Sequence, residues 1–376
     1  ASKADSVQQG RPNVVLIMME SMSSKLMKHF GQSETLTPFL DSLYTRSISF
    51  RNFYSAGIHT NHGLYATLYS FPAMMKRNLM KGSVIPRYSG LPTVLKENGY
   101  YNLFFMTHEG QYDNMNAFFR TNGYDEVFSQ EDYPVDKVVN SFGVQDDFLY
   151  DYAIPVLNQR AATGQPFFAT LLSISNHPPY VIPPFFHPKT SEPEMQIVEY
   201  ADWALRQFFE EARKQPWFDN TIFVLEGDHG KLVGDAECEL PESYNHIPLM
   251  IYSSRIQPEE KTAFGGQVDI QPTILGLLNI DYLQNNFGVD LLKEERPCMF
   301  YTADNMVVGR NDTLLYLYNY ETQQELTYDI GNGKLNAVPM DDSFFPLKEY
   351  SFSMLQSAEF LVKHGKTLNS IPFTQQ

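Results

Sequence analysis

The chain has 376 residues, 43% of them hydrophobic, and a formal net charge of -16; that length supports one large α/β core with a smaller appendage. The acidic surplus repels a nucleic-acid backbone, and the densest basic cluster, Lys76-Arg77 with Lys81, is too small to reverse it, so nucleic acid is excluded as a partner. Two cysteines, Cys238 and Cys298, exclude a disulfide framework and a four-cysteine zinc site and can form one bridge at most, and no apolar run of about 18 residues crosses a membrane.

Taken in chain order, residues 1–12 are polar and read as a tether, with any membrane or secretory segment expected outside this chain. Residues 13–19 form the first of several short apolar runs. Segments 101–106, 167–174, 221–225 and 248–252 follow, rich in Val, Ile, Leu or Phe and too short for helices. Helices are predicted between them, at 91–98 before Gly99 and at 199–214, where Trp203, Leu205, Phe208 and Phe209 share one face. Strands alternating with helices predict an α/β catalytic domain over 13–295, with a mostly parallel central sheet sandwiched by helices.

Beyond residue 296 the pattern shifts to alternating strands at 313–318 and 326–330, with turn clusters at 309–312 and 319–324 and a helix at 347–363. Residues 296–376 therefore read as a small C-terminal antiparallel sheet with a terminal helix packed on it.

In parallel α/β sheets ligands bind beyond the carboxyl ends of the strands. Those ends carry Glu20, His108, His177, and Asp228 with His229. Glu226-Gly227-Asp228-His229-Gly230 places hard and borderline ligands between glycines, and with Glu20 it makes an oxygen and nitrogen set suited to Mn²⁺, Zn²⁺ or Mg²⁺. In Ala56-Gly57-Ile58-His59-Thr60-Asn61-His62-Gly63-Leu64, a helical turn follows at 65–70. Thr60 is then either an N-cap or a hydroxyl held near free backbone N–H groups that bind phosphate. His59, His62 and His246 can each contact phosphate, act as a general acid, join a second metal site or be structural. The aromatic loop at 180–186 offers either packing or an apolar approach for a lipid.

The segments Asn13-Val14-Val15-Leu16-Ile17-Met18-Met19-Glu20-Ser21, the Thr60 stretch, Ser175-Asn176-His177-Pro178-Pro179-Tyr180 and Gly227-Asp228-His229-Gly230, in this order, resemble the lipoteichoic acid synthase-like branch of the sulfatase/alkaline phosphatase superfamily. Tyr200-Ala201-Asp202, Asp219-Asn220-Thr221 and the stretch 268–275 extend the resemblance to about residue 280. It implies one divalent ion, Mn²⁺ first among Mn²⁺, Zn²⁺ and Mg²⁺, held by Glu20, Thr60, Asp228 and His229, with a second metal left open. Thr60 is then the nucleophile, and His177, His108, Tyr112, His62 and His246 are the expected substrate contacts.

Two departures qualify the resemblance. Where that branch carries a Trp and an Arg after the His108 position, this chain has Tyr112 and Asn114, and asparagine supplies no charge-assisted fork. The Cys or Ser signature of classical sulfatases is absent, since Thr60 is followed by Asn61-His62-Gly63. The resemblance implies an extracytoplasmic phosphotransferase, anchored to the membrane through a segment absent from this chain. It would move a phosphoglycerol- or phosphoethanolamine-type head group from a phospholipid to a glycan or lipid acceptor through a phosphothreonine. The alternatives are a phosphodiesterase or other phosphoric or sulfuric ester hydrolase of the same superfamily, and a non-catalytic head-group-binding domain.

Overall fold

The computed structural model describes residues 11–369 except 332. The predicted tether, up to residue 10, lies outside the described residues. Asn13–Met19 forms β1, a strand with every residue buried. Because side chains alternate along a strand, Val14, Leu16 and Met18 enter one apolar layer while Val15, Ile17 and Met19 enter the other. Burial on both faces is why the run is apolar throughout, each such side chain contributing about 1.5–3 kcal/mol.

The elements that follow are α1 (Pro38–Tyr44), β2 (Ile48–Tyr54), α2 (Thr60–Tyr69), α3 (Leu91–Glu97), β3 (Tyr101–Phe105), α4 (Met115–Thr121), β4 (Glu126–Phe128) and α5 (Asp146–Ala161). After these come β5 (Phe167–Leu172), α6 (Pro193–Ala212), β6 (Thr221–Gly227), β7 (Leu249–Tyr252), β8 (Glu259–Gly266) and α7 (Ile270–Leu277). Together the strands make an 8-stranded sheet in the order β4-β3-β5-β1-β6-β7-β2-β8. Helices α2, α3, α4 and α7 cover one face, and α1, α5 and α6 the other. Strand β7 pairs antiparallel with both β6 and β2 and is reversed against the rest. The expectation for 248–252 is thus corrected in direction, and the sheet is mostly parallel as predicted.

Boundaries moved for physical reasons. Pro193 occupies the first turn of α6, where its missing N–H costs nothing, so this helix starts well before residue 199. Asp202, on α6, accepts the N–H groups of Phe39 and Leu40 at 2.9 Å and so caps α1. Helix α3 ends at Glu97, and Gly99 takes the left-handed conformation, φ +86°, as predicted for a C-terminal glycine.

A second, 5-stranded antiparallel sheet follows: β9 (Met299–Thr302), β10 (Met306–Arg310), β11 (Leu314–Asn319), β12 (Gln324–Gly331) and β13 (Lys334–Ala337), in the order β13-β12-β11-β10-β9. Helix α8 (Phe345–Lys363) packs on it. Gly309 and Arg310, predicted in a turn, belong to β10. A Cβ at Gly309 would lie 2.3 Å from Ser351 Oγ, so this glycine serves close packing of α8 and not a turn. Two ion pairs brace this region: a partly buried one of Arg310, on β10, with Glu242, and a buried one of Arg296 with Asp269, where Nη2 is 2.6 Å from Oδ1. Cys238 and Cys298 are free thiols.

Candidate active site

Strands β1 and β6 are parallel neighbours with Met19 opposite Gly227, so the residues that follow them emerge side by side. The Asp228 N–H donates to the Met19 carbonyl at 3.0 Å. Ser21 is left-handed, φ +50°, a conformation a serine rarely adopts. That turn aims its N–H at Asp228 Oδ1, 2.8 Å away, and its hydroxyl at Glu20 Oε1, 2.7 Å away. Strand β5 supports Glu20 from the other side, since Ser173 Oγ accepts the Glu20 N–H at 3.0 Å. Asn176 Nδ2 donates to the carbonyls of Glu20 and Ser21, both at 3.2 Å.

His229 completes the cluster. Its Nδ1 donates to the Gly230 carbonyl at 2.7 Å, which leaves a lone pair on Nε2. That lone pair faces Glu20 Oε1 at 3.7 Å and Asp228 Oδ2 at 3.6 Å. One ligand atom from each of Glu20, Asp228 and His229 lies within 4.8 Å of the others, and Asp228 Oδ2 is buried without a hydrogen-bond partner. Acceptors that converge in a dry space repel one another unless a cation lies among them. The same crowding pushes the Glu20 carboxyl well above its ordinary range, burial being the main cause and the Asp228 charge the next. Two buried carboxylates and an imidazole nitrogen with a fixed tautomer are a donor set that fits a divalent cation.

Thr60 is the first residue of α2, and its Oγ1 lies 3.3 Å from Glu20 Oε2. The N-cap is His59, which makes no side-chain capping bond, so Thr60 is not the cap. Strand β2, which the sequence analysis did not locate, delivers this segment to the edge of the sheet. Gly63, on the turn of α2 beneath Thr60, packs against the Asp228 loop, and a Cβ there would sit 2.2 Å from the Asp228 carbonyl oxygen. Gln267 fastens the two segments: its Oε1 accepts the Ala56 N–H at 2.9 Å while Nε2 donates to the carbonyls of Gly227 and Asp228 at 3.1 and 2.8 Å. No sequence signal marks a glutamine for such a role. His59 Nε2 is 2.6 Å from Asp304 Oδ1, which ties the Thr60 loop to the turn between β9 and β10.

The other histidines divide. The His62 ring is buried against Gly57 with neither nitrogen partnered, and burial holds its pKa down to about 3. His108 is buried beside Tyr112, ring centroids 4.6 Å apart, and burial holds it at about 4, so both rings are neutral at pH 7. His177 packs on Phe142, 4.1 Å between centroids, and its Nδ1 donates to the Pro178 carbonyl at 2.6 Å, leaving Nε2 as the acceptor. The loop that bears it is fixed by Asp146, which accepts the N–H groups of Ile174 and Ser175 at 2.8 and 3.0 Å. His246, an expected substrate contact, is engaged elsewhere: its Nε2 donates to the Arg51 carbonyl at 2.7 Å and its ring stacks on Tyr54. The aromatic loop after His177 lays Phe185 and Phe186 on Trp203 of α6.

Lys231 was also missed, although it adjoins the Asp228-His229-Gly230 motif. Its Nζ donates to Asn176 Oδ1 at 2.7 Å, and burial lowers its pKa to about 8.

The chain matches a family model described as Sulfatase over residues 12–280. Lipoteichoic acid synthases 2 and 1 of Bacillus subtilis (strain 168) are each 25% identical to it, over 75% and 86% of this chain and 47% and 53% of theirs. The chain thus spans about half the length of the curated relatives it matches. A crystal structure of a protein in the alkaline phosphatase superfamily from Vibrio parahaemolyticus superposes with a TM-score of 0.86 at 27% identity, covering 96% of this chain and 89% of that one. The lipoteichoic acid synthase LtaP of Listeria monocytogenes shares the fold, with a TM-score of 0.80 at 21% identity over 94% of this chain and 92% of that one.

Two outcomes are expected from this geometry. A Glu20 pKa raised in the folded state stabilises the metal-free protein at low pH, and that stabilisation is lost as pH rises through the raised value. Added Mn²⁺ must displace the proton, so it raises the thermal unfolding midpoint more at about pH 8 than at about pH 5.5; an equal rise at both would contradict the cluster. Gln267→Leu cuts the bridge between Ala56 and Asp228 and lowers kcat on a chromogenic phosphodiester by about 10- to 100-fold. KM changes little, and a fall confined to KM would show that Gln267 does not position these groups.

Proposed function

The chain belongs to the sulfatase family, in its lipoteichoic acid synthase-like branch, and from that premise we propose that it is a metal-dependent phosphotransferase with Thr60 as nucleophile. The observation that carries this reading is the Thr60 hydroxyl at the start of α2, 3.3 Å from Glu20 Oε2, a member of the cluster that includes the unpartnered Asp228 Oδ2. Glu20, Thr60, Asp228 and His229 would hold one divalent ion, with Mn²⁺ ahead of Zn²⁺ and Mg²⁺. When bound, such an ion makes a hydroxyl more acidic and offsets charge on phosphoryl oxygens.

The chain's own groups account for the rest. Thr60 Oγ1, its proton directed at Glu20 Oε2, attacks phosphorus. As the new P–O bond forms, the bond to the departing alcohol breaks; that oxygen keeps the electron pair, and the proton given up by Thr60 balances the one it gains. The amino end of α2 faces the phosphoryl oxygens, and His177 Nε2, exposed beyond β5, can meet them from the side. A second alcohol then attacks the phosphothreonine and frees Thr60. A phospholipid donor and a glycan or lipid acceptor fit this scheme, with water as acceptor in the hydrolytic variant.

The reading places the enzyme outside the cytoplasm, anchored to the membrane through a segment beyond this chain; no helix among the described residues is long and apolar enough to cross a membrane. Residues 13–295 would be the catalytic domain and 296–376 a supporting one.

Peptide mass spectrometry after incubation with Mn²⁺ and phospholipid tests the scheme. An adduct of the phosphate with its head group is expected on the Thr60 peptide, and Thr60→Ala loses it together with at least about 10³-fold of turnover. Turnover retained by Thr60→Ala would end the nucleophile assignment. Release that needs an added glycan or lipid marks a transferase; release in water alone marks a hydrolase.

A further inference from the structure

The wall beside Thr60 carries information about the head group. Asn61, next to the nucleophile, donates through Nδ2 to Asp113 Oδ2 at 3.2 Å, while its Oδ1 is buried without a partner. The other oxygen of Asp113 is 2.8 Å from Lys81 Nζ, on a side chain 57% exposed. Tyr112 is 44% exposed, with its ring on His108 and edge-on to Phe142, and its hydroxyl feels the charges of both Asp113 and Glu20. The wall thus links the Glu20 cluster to Asp113 across an open aromatic face.

Its chemistry is that of an acceptor. It presents the Asp113 carboxylate and the negative face of a phenol ring. Lys81 shows that a primary ammonium fits against Asp113, and it does so from a flexible, solvated stem that is easily displaced. Asn114, the residue best placed to add a donor, spends its Nδ2 on the Met80 carbonyl at 3.2 Å. We propose that this wall selects a phosphoester whose head group ends in an ammonium, of the phosphoethanolamine class, over glycerol phosphate. The ammonium replaces Lys81 at Asp113 and lies over Tyr112, gaining a charge-assisted hydrogen bond and a cation–π contact that a glycerol hydroxyl lacks. This proposal rests on the phosphotransfer reading above and specifies its donor.

The experiment compares phosphatidylethanolamine and phosphatidylglycerol with identical acyl chains in mixed micelles with Mn²⁺, following diacylglycerol release. Wild type is expected to favour phosphatidylethanolamine in kcat/KM by about 10-fold, the scale of one charge-assisted contact. Asp113→Asn, which keeps a residue tolerant of the left-handed backbone there, φ +50°, brings that ratio toward one, and Lys81→Met raises it. Free phosphoethanolamine should also inhibit turnover of bis(4-nitrophenyl) phosphate at lower concentration than glycerol 3-phosphate, which separates head-group recognition from micelle charge. Equal or faster use of phosphatidylglycerol, a ratio unmoved by Asp113→Asn, or chromogenic turnover without release from either lipid overturns the proposal. Failure to cleave the chromogenic diester as well removes the phosphotransfer reading itself.

Discussion

The structure turns on one electrostatic conflict: two buried carboxylates and the lone pair of a partly exposed histidine held together. Glu20 and Asp228 are essentially fully buried, and such groups are costly unless paired. Everything around them enforces the arrangement. Adjacent parallel strands set the backbones side by side, left-handed Ser21 donates to both carboxylates, and Gly230 fixes the imidazole tautomer. The contacts that hold these acceptors together make a cluster able to take a cation.

The same logic explains the supporting elements. Thr60 reaches the cluster only because Gly63 lets α2 approach the Asp228 carbonyl and Gln267 bridges the two segments. The second sheet supports the same loop: Thr302 donates to the Ala56 carbonyl at 3.0 Å, and Asp304 holds His59. The appendage is therefore coupled to Thr60 through the backbone that precedes it. The open side of the site carries the exposed Tyr112 ring and Asp113, which is paired with Lys81 and Asn61.

Much of this was legible in the sequence because buried parallel strands announce themselves as apolar runs and ligands cluster at their ends. β1 and the small antiparallel sheet were found that way, and the structure brings the strand-end residues Glu20, Asp228 and His229 together. Strands β2 and β8 were not. β2 carries Arg51 and Asn52 mid-strand, and β8 opens with Glu259, Glu260 and Lys261 because it is an edge strand, where charges discourage further pairing. The reversal of β7 leaves no trace in composition. The contacts of Gln267 and Asn61 exist only once distant segments meet, and the partner of His246, the Arg51 carbonyl, cannot be read from its neighbours in the chain.

The central claim is that Glu20, Asp228 and His229 hold a divalent ion beside Thr60. Elemental analysis of wild type and Asp228→Ala, each equilibrated with Mn²⁺ and freed of unbound ions by gel filtration, tests it most directly. The account predicts about one ion per chain in wild type and loss of that ion in a variant that still folds. Wild-type protein that retains no divalent ion, or a variant that retains it fully, would contradict the account.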